Sequence, residues 1–148
     1  MSKAPVTRRR RRPVATELRL HMAVAGYLRC AWPAHLLWSH FPAGEVRDAK
    51  TGAKLKAMGL KAGWPDFVFV LPNGQAGFLE LKRPGGALSE PQIEFREKAL
   101  ALGCGYATAR SPEEAEIVLT RWLDAYGLTP RATMVRRPVA PLLDEARP

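Results

Sequence analysis

Cysteine is scarce: Cys30 and Cys104 are the only two in 148 residues. Two are too few for a disulfide scaffold or a Cys-rich zinc site. A reducing cytoplasm is the compartment that such usage suggests. Both lie in apolar surroundings and are expected to pack as reduced core residues. Long apolar runs are missing too. Uninterrupted stretches such as Met22 to Leu28 fall far short of the roughly 18 residues a membrane span requires. Glu17, Arg19 and His21 break the segment that a secretory signal would keep apolar. Acidic residues are the third scarcity, with 14 Asp+Glu against 23 Lys+Arg and a net charge of +9. No internal repeat is visible.

What is present suits one globular domain. Residues of apolar type make up 47% of the chain, which excludes an intrinsically disordered protein. A chain of this length buries roughly 70% of its unfolded surface, so no metal or disulfide staple is required. The charge is unevenly spread. Residues 1–13 carry Lys3 and the run Arg8, Arg9, Arg10, Arg11 and Arg12. Residues 14–127 are close to neutral. Five adjacent arginines repel one another, so residues 1–13 read as a disordered basic tail whose natural partner is nucleic-acid phosphate. Residues 128–148, with Pro130, Pro138, Pro141 and Pro148, read as an irregular C-terminal tail.

Within 14–127 the pattern predicts an α/β fold, a mixed sheet of about four strands with helices on both faces. Thr16 opens a helix to about Leu28, with Glu17, His21, Val24 and Leu28 on one stripe. Leu36 to Phe41 is a short strand, and a basic segment with a helical turn or two follows near 47–58. Phe67 to Leu71 and Ala76 to Lys82 are strands joined by Pro72-Asn73-Gly74. Ser89 opens a helix to about Leu102, Tyr106 to Ala109 is a strand, and Ser111 opens a last helix to about Tyr126.

The hairpin is the most informative stretch. Proline presets the first turn position and glycine takes the left-handed one, which suits a three-residue loop. Leu71 then lies opposite Gln75, and Asp66 faces Glu80, with Lys82 two residues on along the same face. A two-residue loop would throw the two carboxylates onto opposite faces. Both faces of the hairpin are largely apolar, so a central, doubly covered hairpin ends in two carboxylates and an ammonium. Facing like charges destabilise the sheet unless a cation lies between them. Such a pair is a natural oxygen site for magnesium, able to activate water and neutralise charge on a phosphodiester. The bland alternative is a structural salt bridge from Lys82 to Asp66 or Glu80.

Pro65-Asp66 followed by Glu80-Leu81-Lys82 matches the PD-(D/E)XK nuclease pattern. The wider set is Glu17, Gly59, Gly63-Trp64-Pro65-Asp66, Phe78-Leu79-Glu80-Leu81-Lys82 and Leu88-Ser89-Glu90-Pro91-Gln92. Over about residues 16–124 it resembles the VRR-NUC family (virus-type replication-repair nucleases). The resemblance implies a restriction-endonuclease-like core. It also implies a metal held by Asp66, Glu80 and the backbone carbonyl of Leu81, with Glu17 an additional acid near the metals. Lys82 would be the catalytic lysine and Gln92 the polar residue after the motif. Magnesium is the expected cofactor, with manganese able to substitute. The implied activity is phosphodiester hydrolysis of DNA, leaving 5′-phosphate and 3′-hydroxyl ends. A homodimer acting on branched or junction DNA in repair, in the cytoplasm of a bacterial or phage-infected cell, is the expected setting.

Bland readings accompany the weaker members. Ser89 and Gln92 form a capping box, so Gln92 has a helix-capping role available. Glu17 suits the positive end of its helix without any site. His21, one turn after Glu17, is within reach of the site, but a packed or surface histidine is the commoner reading. Lys54, Lys56 and Lys61 precede the motif and are expected to contact phosphate. Trp38, Trp64 and Trp122 read as core, although Trp64 is also placed to stack on a base. The rival function is a non-catalytic nucleic-acid-binding module whose acidic site is structural.

Overall fold

The computed structural model describes residues 14–42 and 48–134. Helix α1 (Val14–Ala31) leads into strand β1 (Leu37–His40), then helix α2 (Ala49–Ala57) and strand β2 (Phe67–Val70). Strand β3 (Ala76–Leu81), helix α3 (Glu90–Ala101), strand β4 (Gly105–Ala109) and helix α4 (Pro112–Asp124) follow. The strands form one open mixed sheet in the order β1-β2-β3-β4, with the first two pairings antiparallel and β3–β4 parallel. No helix among the described residues is long and apolar enough to cross a membrane.

Local chemistry explains the element ends. Asp48 caps α2 by accepting the Thr51 N–H at 3.0 Å, and Ser111 caps α4 by accepting that of Glu114 at 3.1 Å. Pro112 fills the first turn of α4, where a missing N–H costs nothing. The β2–β3 turn runs as the residue pattern requires, with Asn73 at φ +66 and Gly74 at φ +75. Leu71 N–H donates to the Gln75 carbonyl at 2.7 Å. Phe67 consequently pairs with Leu79 and Val68 with Phe78, the register that directs Asp66 and Glu80 to one face.

The two faces of the sheet are covered differently. Phe67, Phe69, Leu71, Leu79 and Leu81 bury completely against α1 and α4. From α4 come Ala115, Leu119 and Leu123, spaced four apart on one stripe. Trp122 reaches the sheet over two glycines paired across the parallel ladder, Gly77 and Gly105. A Cβ on Gly77 would come within 3.0 Å of that indole and one on Gly105 within 3.4 Å. Among the described residues, α3 is the helix that packs on the other face. Phe95 packs on Phe78 and Tyr106 there, and Trp64 joins Phe41, Phe78 and Phe95. Toward β1 this face is open, with Leu37 68% and Val70 44% exposed. The expected double cover therefore holds for the β3 end of the hairpin and fails at Val70, because α3 crosses β3 and β4 alone.

Two further expectations are corrected. Cys30 is exposed and Cys104 only half-buried. On α1 the buried stripe is Leu20, Val24, Tyr27, Leu28 and Ala31, which turns position 30 outward. The stretch after α4 is irregular, as expected, but part of it is docked. Arg131 donates from its backbone to the Ala31 carbonyl at 2.7 Å and from Nε to that of Trp32 at 2.9 Å. It thereby satisfies carbonyls at the C-terminal end of α1. Leu128, Ala132 and Met134 pack against the core beside it. Residues 1–13, with Arg8, Arg9, Arg10, Arg11 and Arg12, lie outside the described residues, as does 135–148.

Candidate active site

The site forms where β2 and β3 end. Asp66 precedes β2, and its carbonyl is held by the Phe41 N–H at 2.8 Å and by Nδ1 of His40 at 3.1 Å. The carbonyl is an acceptor, so His40 carries its proton on Nδ1. With its backbone fixed, the Asp66 carboxylate accepts the Leu81 N–H through Oδ2 at 2.7 Å, and Oδ1 lies 4.0 Å from Nδ1 of His21. Gly63 lets this segment approach α3. It adopts φ +86, and a Cβ there would sit 2.2 Å from the Pro91 carbonyl oxygen.

Glu80 is the buried member, 3% exposed on β3. Its Oε1 takes two donors, Nζ of Lys82 at 3.0 Å and Nε2 of Gln92 at 2.6 Å. Gln92 also holds the capping position, since its Oε1 accepts the Ser89 N–H at 2.9 Å at the start of α3. Leu81 N–H points to Asp66 while Lys82 N–H donates to Ala109 on β4 at 2.9 Å. Strand alternation therefore turns the Leu81 carbonyl to the Asp66 side as well.

Burial pushes the Glu80 carboxyl up to about 7, and the Asp66 charge adds to that rise against the opposing pull of Lys82 and Gln92. Asp66 is also raised, again chiefly by burial, with the Leu81 N–H, His21, Lys82 and His40 drawing it back. One ammonium thus offsets two converging carboxylates only in part. The donor set is oxygen throughout, which fits a hard divalent cation such as magnesium or manganese. Asp66, Glu80 and the Leu81 carbonyl are the groups placed to hold it.

Asp66, Glu80, Leu81, Lys82 and Gln92 are brought together. Glu17 is not gathered with them. It is exposed in the first turn of α1, where the helix dipole favours an acid. Among the described residues no group of three or more His, Cys, Asp or Glu side chains converges to hold an ion. Lys54 and Lys56 are exposed on the last turn of α2, and Lys61 is exposed just before Gly63.

Two neighbours, His40 and Tyr106, escaped the sequence reading, while His21, weighed there, lies beside Asp66. His21 stacks on Phe67 at 4.4 Å between centroids and meets His40 edge-on at 4.3 Å. Tyr106 has its hydroxyl pushed up to about 12, by burial first and the Glu80 charge second. The spacing Glu17-x-x-x-His21 was a usable signal for His21, since one helical turn separates them. For His40 and Tyr106 the signal lies in strand neighbours fixed only by the sheet order. Compared with protein-family models, with curated proteins and with solved structures, the chain gives no match.

Proposed function

We propose that this chain is a magnesium-dependent endonuclease of the restriction-endonuclease-like fold that hydrolyses DNA phosphodiester bonds. The observation that carries the reading is the meeting of Asp66, Glu80 and Lys82 at one sheet edge, with Glu80 buried and its carboxyl raised to about 7. Two neighbouring raised carboxyls with a single ammonium, bonded to Glu80, favour a further positive charge. Asp66, Glu80 and the Leu81 carbonyl would hold magnesium, which when bound supplies water activation and charge neutralisation. Lys82, tethered by Glu80, faces the attacking water and the charge gathering on the phosphate. Gln92 keeps the Glu80 carboxylate oriented by its hydrogen bond, and His40 and Phe41 keep Asp66 in place.

The motif resemblance to the VRR-NUC family supports the same reading. It also supports a homodimer on branched or junction DNA, inside the cytoplasm, with a role in repair. A second reading, a non-catalytic nucleic-acid-binding module, draws on the Lys82–Glu80 ion pair, which satisfies both partners without a ligand. Against it stands the Asp66 charge, which adds to the rise at Glu80 and leaves one ammonium facing two carboxylates, more negative charge than a simple ion pair needs. Incubation of supercoiled plasmid and of branched oligonucleotides with magnesium, manganese, calcium or chelator tests the proposal. Nicking is expected with magnesium and manganese, and binding without turnover with calcium, whose looser geometry positions water poorly. Cleavage undiminished in chelator, or none with any ion, would overturn it.

A further inference from the structure

A groove of about 390 Å³ runs along α3 opposite the 61–64 loop, outside the carboxylate site. Its volume lies within the roughly 300–1,000 Å³ of small-molecule sites. The walls are aromatic and apolar: Trp64, Phe78, Phe95, Ala99, Leu102 and Cys104. Trp64 and Phe95 lie 5.0 Å apart between ring centroids, and Phe78 meets Phe95 edge-on at 4.9 Å. Lys61 and Lys98 stand exposed at the mouth, and the one acid there, Glu94, is engaged by Lys98 at 2.6 Å. Cations therefore exceed anions around an aromatic recess.

Its position gives it meaning. Trp64 is two residues before Asp66, and Phe78 is two residues before Glu80 on the same face of β3. Two strand residues span about 6.6 Å. That is close to two stacked base steps of roughly 3.4 Å each. Pro91, which lines the groove, is closely approached by Gly63, three residues before Asp66, and Gln92 next to it donates to Glu80. A nucleic-acid strand whose phosphate rested at Asp66 and Glu80 would have this recess within one or two nucleotides on one side.

We propose that the groove seats an unpaired nucleobase of the DNA substrate, one or two nucleotides from the scissile phosphate, with Lys61 and Lys98 on the flanking phosphates. The proposal rests on the nuclease reading and names the substrate feature it selects. A paired base has both faces covered by its neighbours in the duplex, so only an unstacked one offers a face to Trp64 and Phe95. Stacking of this kind tolerates any base, because every base has a π-face. Selection would then be for an unpaired nucleotide at a branch, flap or bulge, and not for sequence.

The test uses the full chain in chelator, where binding is measured without cleavage. Two hairpin DNAs are compared, identical except that one presents a single unpaired 2-aminopurine and the other pairs it. The unpaired probe is expected to bind on the order of tenfold tighter and to lose emission on saturation as it stacks. Ala62→Leu, at an exposed lining position, adds bulk to the groove, and Leu102→Glu, at a side chain 82% exposed, adds an anion at its lip. Both variants should keep the wild-type melting temperature and bring the affinity ratio of the two probes close to one. Equal affinity and undiminished emission in the wild type would overturn the proposal. So would retention of the tenfold preference by both variants. A change in sedimentation with the DNA preference intact would assign the groove to a second copy of the chain instead. Plasmid nicking in magnesium is read separately, so failure of the groove and failure of the nuclease reading give different results.

Discussion

The two faces of the β2–β3 hairpin have opposite characters although their residues alternate along the same strands. Phe67, Phe69, Leu79 and Leu81 face α1 and α4 in a dry core. Asp66, Glu80 and Lys82 stand on the other face, where Gln92 reaches in from α3 and His21 of α1 lies beside Asp66. Alternation thus separates the face that holds the fold from the face that carries the proposed chemistry, with one residue of shift between them. The first face gains by excluding water. The second tolerates two carboxylates that repel each other, a local cost that suits a site awaiting a cation.

The largest effect on stability should come from the core face. Phe69→Ala removes a fully buried ring from the centre of the sheet and should cost about 3–5 kcal/mol in denaturant unfolding. A loss under about 1 kcal/mol would mean that the two faces are less different than described.

Next comes pH. Glu80 is raised in the folded protein to about 7 from an ordinary value of 4.5, so the folded state binds more protons between these limits. Metal-free protein should therefore be most stable below about pH 4.5 as far as this group is concerned, losing about 3 kcal/mol as pH rises through 7. Glu80→Gln should flatten that profile, and saturating magnesium, by keeping Glu80 ionised in the folded state, should flatten it too near pH 7. Melting curves across pH in chelator and in magnesium would show it.

Gly63→Ala tests the link between the loop and α3. The positive φ and the Pro91 carbonyl together oppose a methyl group there. A loss of about 1–3 kcal/mol is expected, with a larger fractional loss of cleavage than of fold because Asp66 follows three residues on. The smallest effect lies outside both faces. Deleting residues 1–13 removes Arg8 to Arg12, and the slope of log affinity against log salt should fall by about 2 to 4 with the saturated rate nearly unchanged.

Much of this comparison was legible in the residues. Pro72-Asn73-Gly74 fixed the loop length, and the loop length fixed which side chains share a face with Glu80. Gln92 was legible twice, as a capping residue and as a neighbour of the carboxylates, and it bonds both Ser89 and Glu80. What stayed hidden depended on long-range neighbours. His40 reaches Asp66 across 26 residues that include α2, so no local pattern announces it. Cys30 looked apolar by its neighbours, but the helix angle, not the neighbourhood, decides which way it faces. The prolines after α4 suggested a loose tail, and nothing in them foretold that Arg131 would bind the end of α1. Val70 is open because alternation says which face a residue takes and not whether a helix covers it.

The account's central claim is that the polar end of the hairpin is catalytic and not structural. Lys82→Ala separates these most directly, with melting temperature in chelator and plasmid nicking rate in magnesium measured on the same preparation. The account predicts nicking reduced by roughly 10²- to 10⁴-fold in a protein that melts within a few degrees of wild type. Wild-type nicking by folded Lys82→Ala protein would contradict it.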